Sequence, residues 1–192
     1  WQTVIGLAAV GGVIIALAGW HLIRDEPSAN RAAGSMFGGI REVVRSRECW
    51  LNAVAGLGCT GPLLGFAALW GVPFLEVTYE LSAKSAAATA SLTIAGLGIG
   101  APFFGWWADQ LGRPKLPLLV GLGLETLAFG VLVGVTELPV LAVAALCFLV
   151  GFGAASQICC FSLVRVHISA AAAGTAMGLV NGILTSAGAI FQ

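Results

Sequence analysis

The side chains able to do chemistry are few, and they fall in three places. The stretch Gly105-Trp106-Trp107-Ala108-Asp109-Gln110-Leu111-Gly112-Arg113-Pro114-Lys115 sets an acid and a base four residues apart between two long apolar runs. Gly105 lets a helix end approach a neighbour, Gly112 permits a tight reversal, and Asp109 and Arg113 can each face a helix terminus or one another. Such a pair can latch two helices in one conformation and part in another, provided the two states satisfy it unequally. The alternative is that the charges only anchor helix ends. Glu125 is the second place, alone within the apolar and small residues of 116–135. A carboxylate at the middle of a bilayer costs on the order of 2.5 to 3.5 kcal/mol on insertion scales, so this one must be protonated, paired or facing water. A proton-coupling acid and a packing residue both fit. The third set is uncharged: Asn52, Thr60, Ser156, Gln157, Asn181, Thr185 and Ser186 interrupt other apolar runs. Each can hold two helices together by a hydrogen bond.

The runs that must position these groups are membrane spans. Hydrophobic residues make up 58% of the 192, charged residues 9%, and the mean hydropathy is +0.96, far beyond what a soluble domain of this size needs. A helix crossing the hydrocarbon takes about 20 mostly apolar residues, and the charges cut the sequence into six such pieces: 1–23, 50–75, 85–107, 116–135, 138–164 and 170–192. The runs are continuous, without the alternation of a barrel strand, so the expected fold class is an all-α membrane protein, a multi-helix transmembrane bundle with six spans. Pro62, Pro73 and Pro102 are expected to bend their helices. Gly96 to Gly100, and Gly174, Gly178, Gly182 and Ser186, form small-residue stripes expected to pack helices closely.

Basic residues set the orientation. Arg24, Arg31, Arg41, Arg45, Arg47, Arg113, Lys115 and Arg165 fall in loops on one side of the six-span cut, and Lys84 alone falls on the other. Retained cytoplasmic loops carry such an excess, which predicts a cytoplasmic linker at 24–48, between a transmembrane helix at 1–23 and a bundle at 49–192. Within the linker, Met36, Phe37, Ile40, Val43 and Val44 recur at helical spacing against Arg41, Arg45 and Arg47. That pattern predicts a short amphipathic helix on the membrane surface, its arginines reaching anionic headgroups; a plain solvated linker is the other reading.

Several function classes are disfavoured. No nucleic-acid surface is available, and no cofactor is called for. Cys49, Cys59, Cys147, Cys159 and Cys160 lack metal-ligand spacing and read as small packing residues, so no metal site is expected. His21 and His167 lie near span ends, with no His-Glu-x-x-His or Gly-x-Ser-x-Gly arrangement to support an intramembrane enzyme. The chain starts without Met and stops inside an apolar run, which reads as a fragment.

Gly105, Asp109, Gly112 and Arg113 resemble the Gly-x-x-x-Asp-(basic)-x-Gly-Arg-(basic) signature of the major facilitator superfamily, with Gln110 and Pro114 at two usually basic positions and Lys115 displaced by one. Trp70-Gly-Val-Pro-Phe, the Arg-Asp-Glu-Pro stop after the first span, and Gly174-Thr-Ala-Met-Gly-Leu-Val-Asn181 are similar to stretches of bacterial members. The resemblance implies that the six spans correspond to the family's sixth to eleventh helices, with a missing N-terminal half of the same protein as partner. It also implies secondary transport of a small solute by alternating access, in a plasma membrane of the bacterial inner-membrane kind. On that resemblance Gly105, Asp109, Gly112 and Arg113 form a cytoplasmic gating motif, and Asn52, Thr60, Ser156, Gln157, Asn181 and Thr185 lie on cavity-lining helices as candidates for solute hydrogen bonds. Gln157 and Asn181 are the preferred pair, since an amide both donates and accepts. Glu125 falls on a peripheral helix. A non-transporting scaffold or sensor on the same fold remains the alternative.

Overall fold

A computed structural model describes residues 2–22 and 36–191, all side chains among them except those of Met36 and Phe37. The Arg-Asp-Glu-Pro stop, Arg24 and Arg31 lie outside the described residues. The chain divides into two compact units, Trp1–Ala33 and Gly34–Gln192, taken separately below.

Among its described residues the first unit contains one helix, α1, Gln2–Leu22, of 21 residues with none buried. At 1.5 Å per residue it is about 30 Å long, the thickness of the hydrocarbon core. It is apolar all round, with Val4, Leu7, Ile14 and Ile15 more than half exposed; lipid is the medium in which such a surface is stable.

The second unit begins with α2, Met36–Arg45, followed by α3, Arg47–Gly65. Ser46 divides them: its backbone is extended and its hydroxyl accepts the Cys49 N–H at 3.3 Å, an N-cap for α3. α3 continues through a π turn, Phe66–Trp70, into α4, Gly71–Tyr79, making one 33-residue span. Then come α5, Ala83–Leu111, and α6, Lys115–Gly134. α7, Val140–Ala154, passes through a 3-10 turn, Ala155–Gln157, into α8, Ile158–His167, and α9, Ala173–Phe191, follows. With α1 these give six helical spans among the described residues.

All six sequence-derived pieces contain a span, but the helices run further and the loops shrink. The segment 76–84 was expected as loop; α4 instead reaches Tyr79, Glu80 turns the chain at φ +52, and Ser82 caps α5 through the Ser85 N–H at 3.3 Å. Charges at a helix end do not stop a helix when its caps lie further out. Of the three prolines, Pro62 and Pro102 sit inside α3 and α5, and the hydrogen-bond pattern changes only past Pro62, where the Gly71 N–H reaches back to the Phe66 carbonyl. Such a wide turn, with Pro73 just beyond it, leaves room for a ring that has no N–H to donate.

Two apolar clusters fill the unit. One gathers Val43, Cys49, Phe104, Leu118, Val164, Ala172 and Val180 at the α2 end of the spans; the other gathers Phe66, Leu75, Ala90, Leu132 and Val143 at the opposite end. Glycine brings the backbones together. A Cβ on Gly96 or Gly100 of α5 would run into the α7 backbone, and one on Gly151 would meet the Thr93 carbonyl. The second stripe behaves differently from its expectation. Gly174, Gly178 and Gly182 have nothing of this unit within 4 Å, because α9 packs on α3 through Ala176, Val180, Leu184 and Ala187 instead.

Candidate functional site

Between the two clusters lies a polar layer. On α6, Glu125 stands two turns from Leu118 of one cluster and two turns from Leu132 of the other. It is 1% exposed, and neither carboxyl oxygen has a hydrogen-bond partner. Gly153 makes room for it, since a Cβ there would lie 2.9 Å from that of Glu125. One turn along, Ser156 packs over Gly121, is fully buried, and donates to the Leu118 carbonyl at 3.4 Å, with the Cys59 sulfur 3.8 Å away. Next to it Gln157 is half-buried in the 3-10 turn, and its Oε1 accepts the Thr60 hydroxyl at 2.6 Å. The turn matters here. A tightened turn rotates successive side chains by about 120° rather than 100°, so Ser156 enters the core while Gln157 stays at its edge, with its two amide N–H groups free to donate.

The other sequence candidates divide by face. Asn52 is 8% exposed and its amide donates to the Glu48 carbonyl of its own helix at 3.0 Å. Asn181 and Thr185 are exposed on α9, on the side where the glycine stripe meets no neighbour within this unit. The Thr185 hydroxyl donates back to the Asn181 carbonyl at 2.8 Å. Thr60 and Gln157 thus meet each other, whereas Asn52 and Ser156 turn inward and Asn181 stands apart on an open helix face.

At the α2 end, α5 runs past Gly105 and Asp109 to Leu111. Gly112 then adopts φ +58 with its N–H on the Asp109 carbonyl at 3.3 Å, and Pro114 opens α6. Only glycine takes that φ at no steric cost. Asp109 and Arg113 are both exposed, and among the described residues they form no ion pair with each other or with any third group. The placement of Asp109 explains why it would seek one. Asp109 sits in the last turn of α5, where the helix dipole is negative and opposes its charge, while Arg113 lies between that end and the positive start of α6. Asp109 lines a cleft of about 260 Å³ with Ala108, Gly112, Pro114, Ser162 and Val166, bringing the motif against α8.

One contact here has no signal in the sequence. Glu42 of α2 receives the Ser169 N–H on Oε1 and the Ser169 hydroxyl on Oε2, each at 2.8 Å, across 127 residues. These two bonds hold the Glu42 carboxyl below the usual carboxylate range. An acid on an arginine-bearing helix was visible in the sequence, but its partner lies in a turn that no periodicity connects to it. Among the described residues no cluster of three or more His, Cys, Asp or Glu is placed to hold a metal ion.

A comparison with curated proteins gives no match. A comparison with family models gives one, described as Major Facilitator Superfamily, over residues 1–192. With a match along its whole length and six helices long and apolar enough to cross a membrane, this chain belongs to the Major Facilitator Superfamily, a family of membrane transporters.

Proposed function

We propose that the chain serves alternating-access transport of a small solute, with residues 49–192 as one wall of the cavity and a second helical bundle of the same protein as the other. The observation that carries the reading is the Thr60 and Gln157 pair. It joins the span that contains the π turn to the span that contains the 3-10 turn, at mid-depth, and leaves an amide free to bind. Irregular turns at span depth are tolerated where they line a cavity or are buried in protein. The open, hydroxyl- and amide-bearing face of α9, with Asn181 and Thr185, supports a wall that faces something other than this unit. Family members are in general transporters rather than enzymes, and the same reading applies here.

The charged turn is the gate in this proposal. Because Asp109 opposes the α5 dipole, a conformation that brings it an opposite partner is favoured by that pairing, and the cleft toward α8 is where such a partner can enter. Glu125 is the proton-coupling residue of the reading, supported by its position in the polar layer with both oxygens unpartnered. The linker 24–48 lies in the cytoplasm of a cell bounded by a plasma membrane, supported by eight of nine basic residues falling on that side.

Uptake of labelled solutes by the full-length protein in vesicles tests the function, with Gln157→Ala as the informative variant. Loss of uptake with retained melting temperature supports the cavity role; unchanged uptake across the solutes transported by the wild type removes it. Cysteines placed at Lys84 and at Arg113 test the orientation, since an impermeant reagent outside intact cells should label only the first.

A further inference from the structure

α2 presents four different sides within ten residues, separated by about 100° each. Gly39 and Val43 face the bundle: a Cβ on Gly39 would lie 3.6 Å from that of Ala172, and Val43 is 1% exposed in the cluster containing Ile168 and Ala172. One position on, Ile40 and Val44 are 43% and 52% exposed. Trp50 lies with them, its indole N–H donating to the Val44 carbonyl at 2.9 Å. One further on, Arg41 and Arg45 are exposed, and Arg47 follows at the start of α3. Glu42 takes the last side, held by the backbone and hydroxyl of Ser169.

We propose that α2 is a strap that binds anionic phospholipid headgroups through Arg41, Arg45 and Arg47 while Glu42 and Ser169 clip it to the turn between α8 and α9, so that lipid charge bears on the start of α9. Charge complementarity and depth both argue for this occupant. Among the described residues no carboxylate pairs with any of the three guanidinium groups, because Glu42 is occupied by Ser169 and Glu48 lies in the first turn of α3, where the helix dipole favours an acid. A soluble anion would satisfy the arginines but leave Ile40, Val44 and Trp50 against water. The boundary between acyl chains and phosphates satisfies both sides of the helix at once. The strap rests on the chain crossing a bilayer and not on the alternating-access reading, and neither readout below involves a solute.

The five native cysteines are buried, so Val44→Cys in the full chain can be labelled selectively with a small fluorophore and reconstituted with brominated phosphatidylglycerol or brominated phosphatidylcholine. Phosphatidylglycerol should quench in preference, and each change of Arg41, Arg45 or Arg47 to Gln should lower that preference by roughly fivefold, the attraction expected of one basic residue near an anionic surface. Changes to Lys should keep most of it. Equal quenching by the two lipids, or a preference that survives the triple Gln variant, overturns the lipid site. For the clip, hydrogen exchange at residues 170–176 should be slowed by phosphatidylglycerol in the wild type and insensitive to it in Glu42→Ala. If lipid slows exchange there equally in Glu42→Ala, the clip is wrong.

Discussion

The Thr60 hydroxyl and the Gln157 side-chain carbonyl meet at 2.6 Å, joining two spans through residues 97 positions apart. Thr60 is 6% exposed and Gln157 half-buried, so the bond sits at the edge of the core rather than in it. A bond between uncharged side chains in a membrane protein contributes about 0.6 kcal/mol. Thr60→Val should therefore cost no more than about 1 kcal/mol in a detergent-unfolding measurement, because Val keeps the shape and frees the Gln157 carbonyl at a half-open site. A loss several times larger would mean that the pair is a structural keystone and not part of a binding surface.

Asp109 sits at the end of α5 where its charge is disfavoured, so Asp109→Asn should raise thermal stability slightly, by about 0.3 to 1 kcal/mol. Transport should fall in the same variant if the acid is needed in the alternative conformation. Stability and transport falling together would point to a plain anchoring role.

Glu125→Gln preserves the size of a side chain packed beside Gly153 and removes its ionisable proton. In vesicles carrying a pH gradient, accumulation of labelled solute should be abolished while solute exchange across the membrane continues. Accumulation at the wild-type level would leave Glu125 as a packing residue.

The two glycine stripes should respond in opposite ways. Gly96→Ala places a methyl against the Phe148 carbonyl of α7, a backbone atom that cannot step aside, and overpacking of this kind costs about 1 to 3 kcal/mol or more. Gly178→Ala meets nothing in its own unit, and in this bundle should fold normally with a gain in helix propensity. Melting curves of the two variants side by side check the contrast. If Gly178→Ala keeps the fold but loses transport, the open face of α9 is a working surface.

The Glu42 clip carries a pH dependence of definite sign. Its carboxyl is held below the ordinary value by the two Ser169 bonds, so the folded state favours the anion. The stabilisation is complete above the ordinary carboxylate value and is lost as pH falls through the lowered folded one. A spin label on α2 should therefore stay immobile at neutral pH and loosen only in acid, with Ser169→Ala, which keeps the N–H bond and loses the hydroxyl one, loosening it in part at neutral pH.

Span number, helix class and family were legible because they depend on long apolar runs and on one motif, Gly105 to Arg113, that is contiguous in sequence. The α2 helix could be read from Ile40, Val43 and Val44, whose spacing is local. What could not be read was set by neighbours far along the chain. Asn52 and Gln157 are both amides inside apolar runs, yet one bonds its own helix and the other a partner span. The division follows from the 3-10 turn at Ala155–Gln157 and from which glycine faces which backbone. The stripe at Gly174, Gly178 and Gly182 has the same spacing as a packed one, and only the seating of Val180 and Leu184 on the opposite side reveals that it is open.

Tyr79 lies at the far rim of the bundle, its hydroxyl 2.7 Å from the Leu132 carbonyl and 2.8 Å from that of Val135. A single proton serves two acceptors three residues apart, so a small tilt of α6 strengthens one bond as it lengthens the other. Mid-span, Gly121 and Gly153 press backbone against backbone and leave α6 no such slack, so a tilt of this helix is expected at the end that the tyrosine holds.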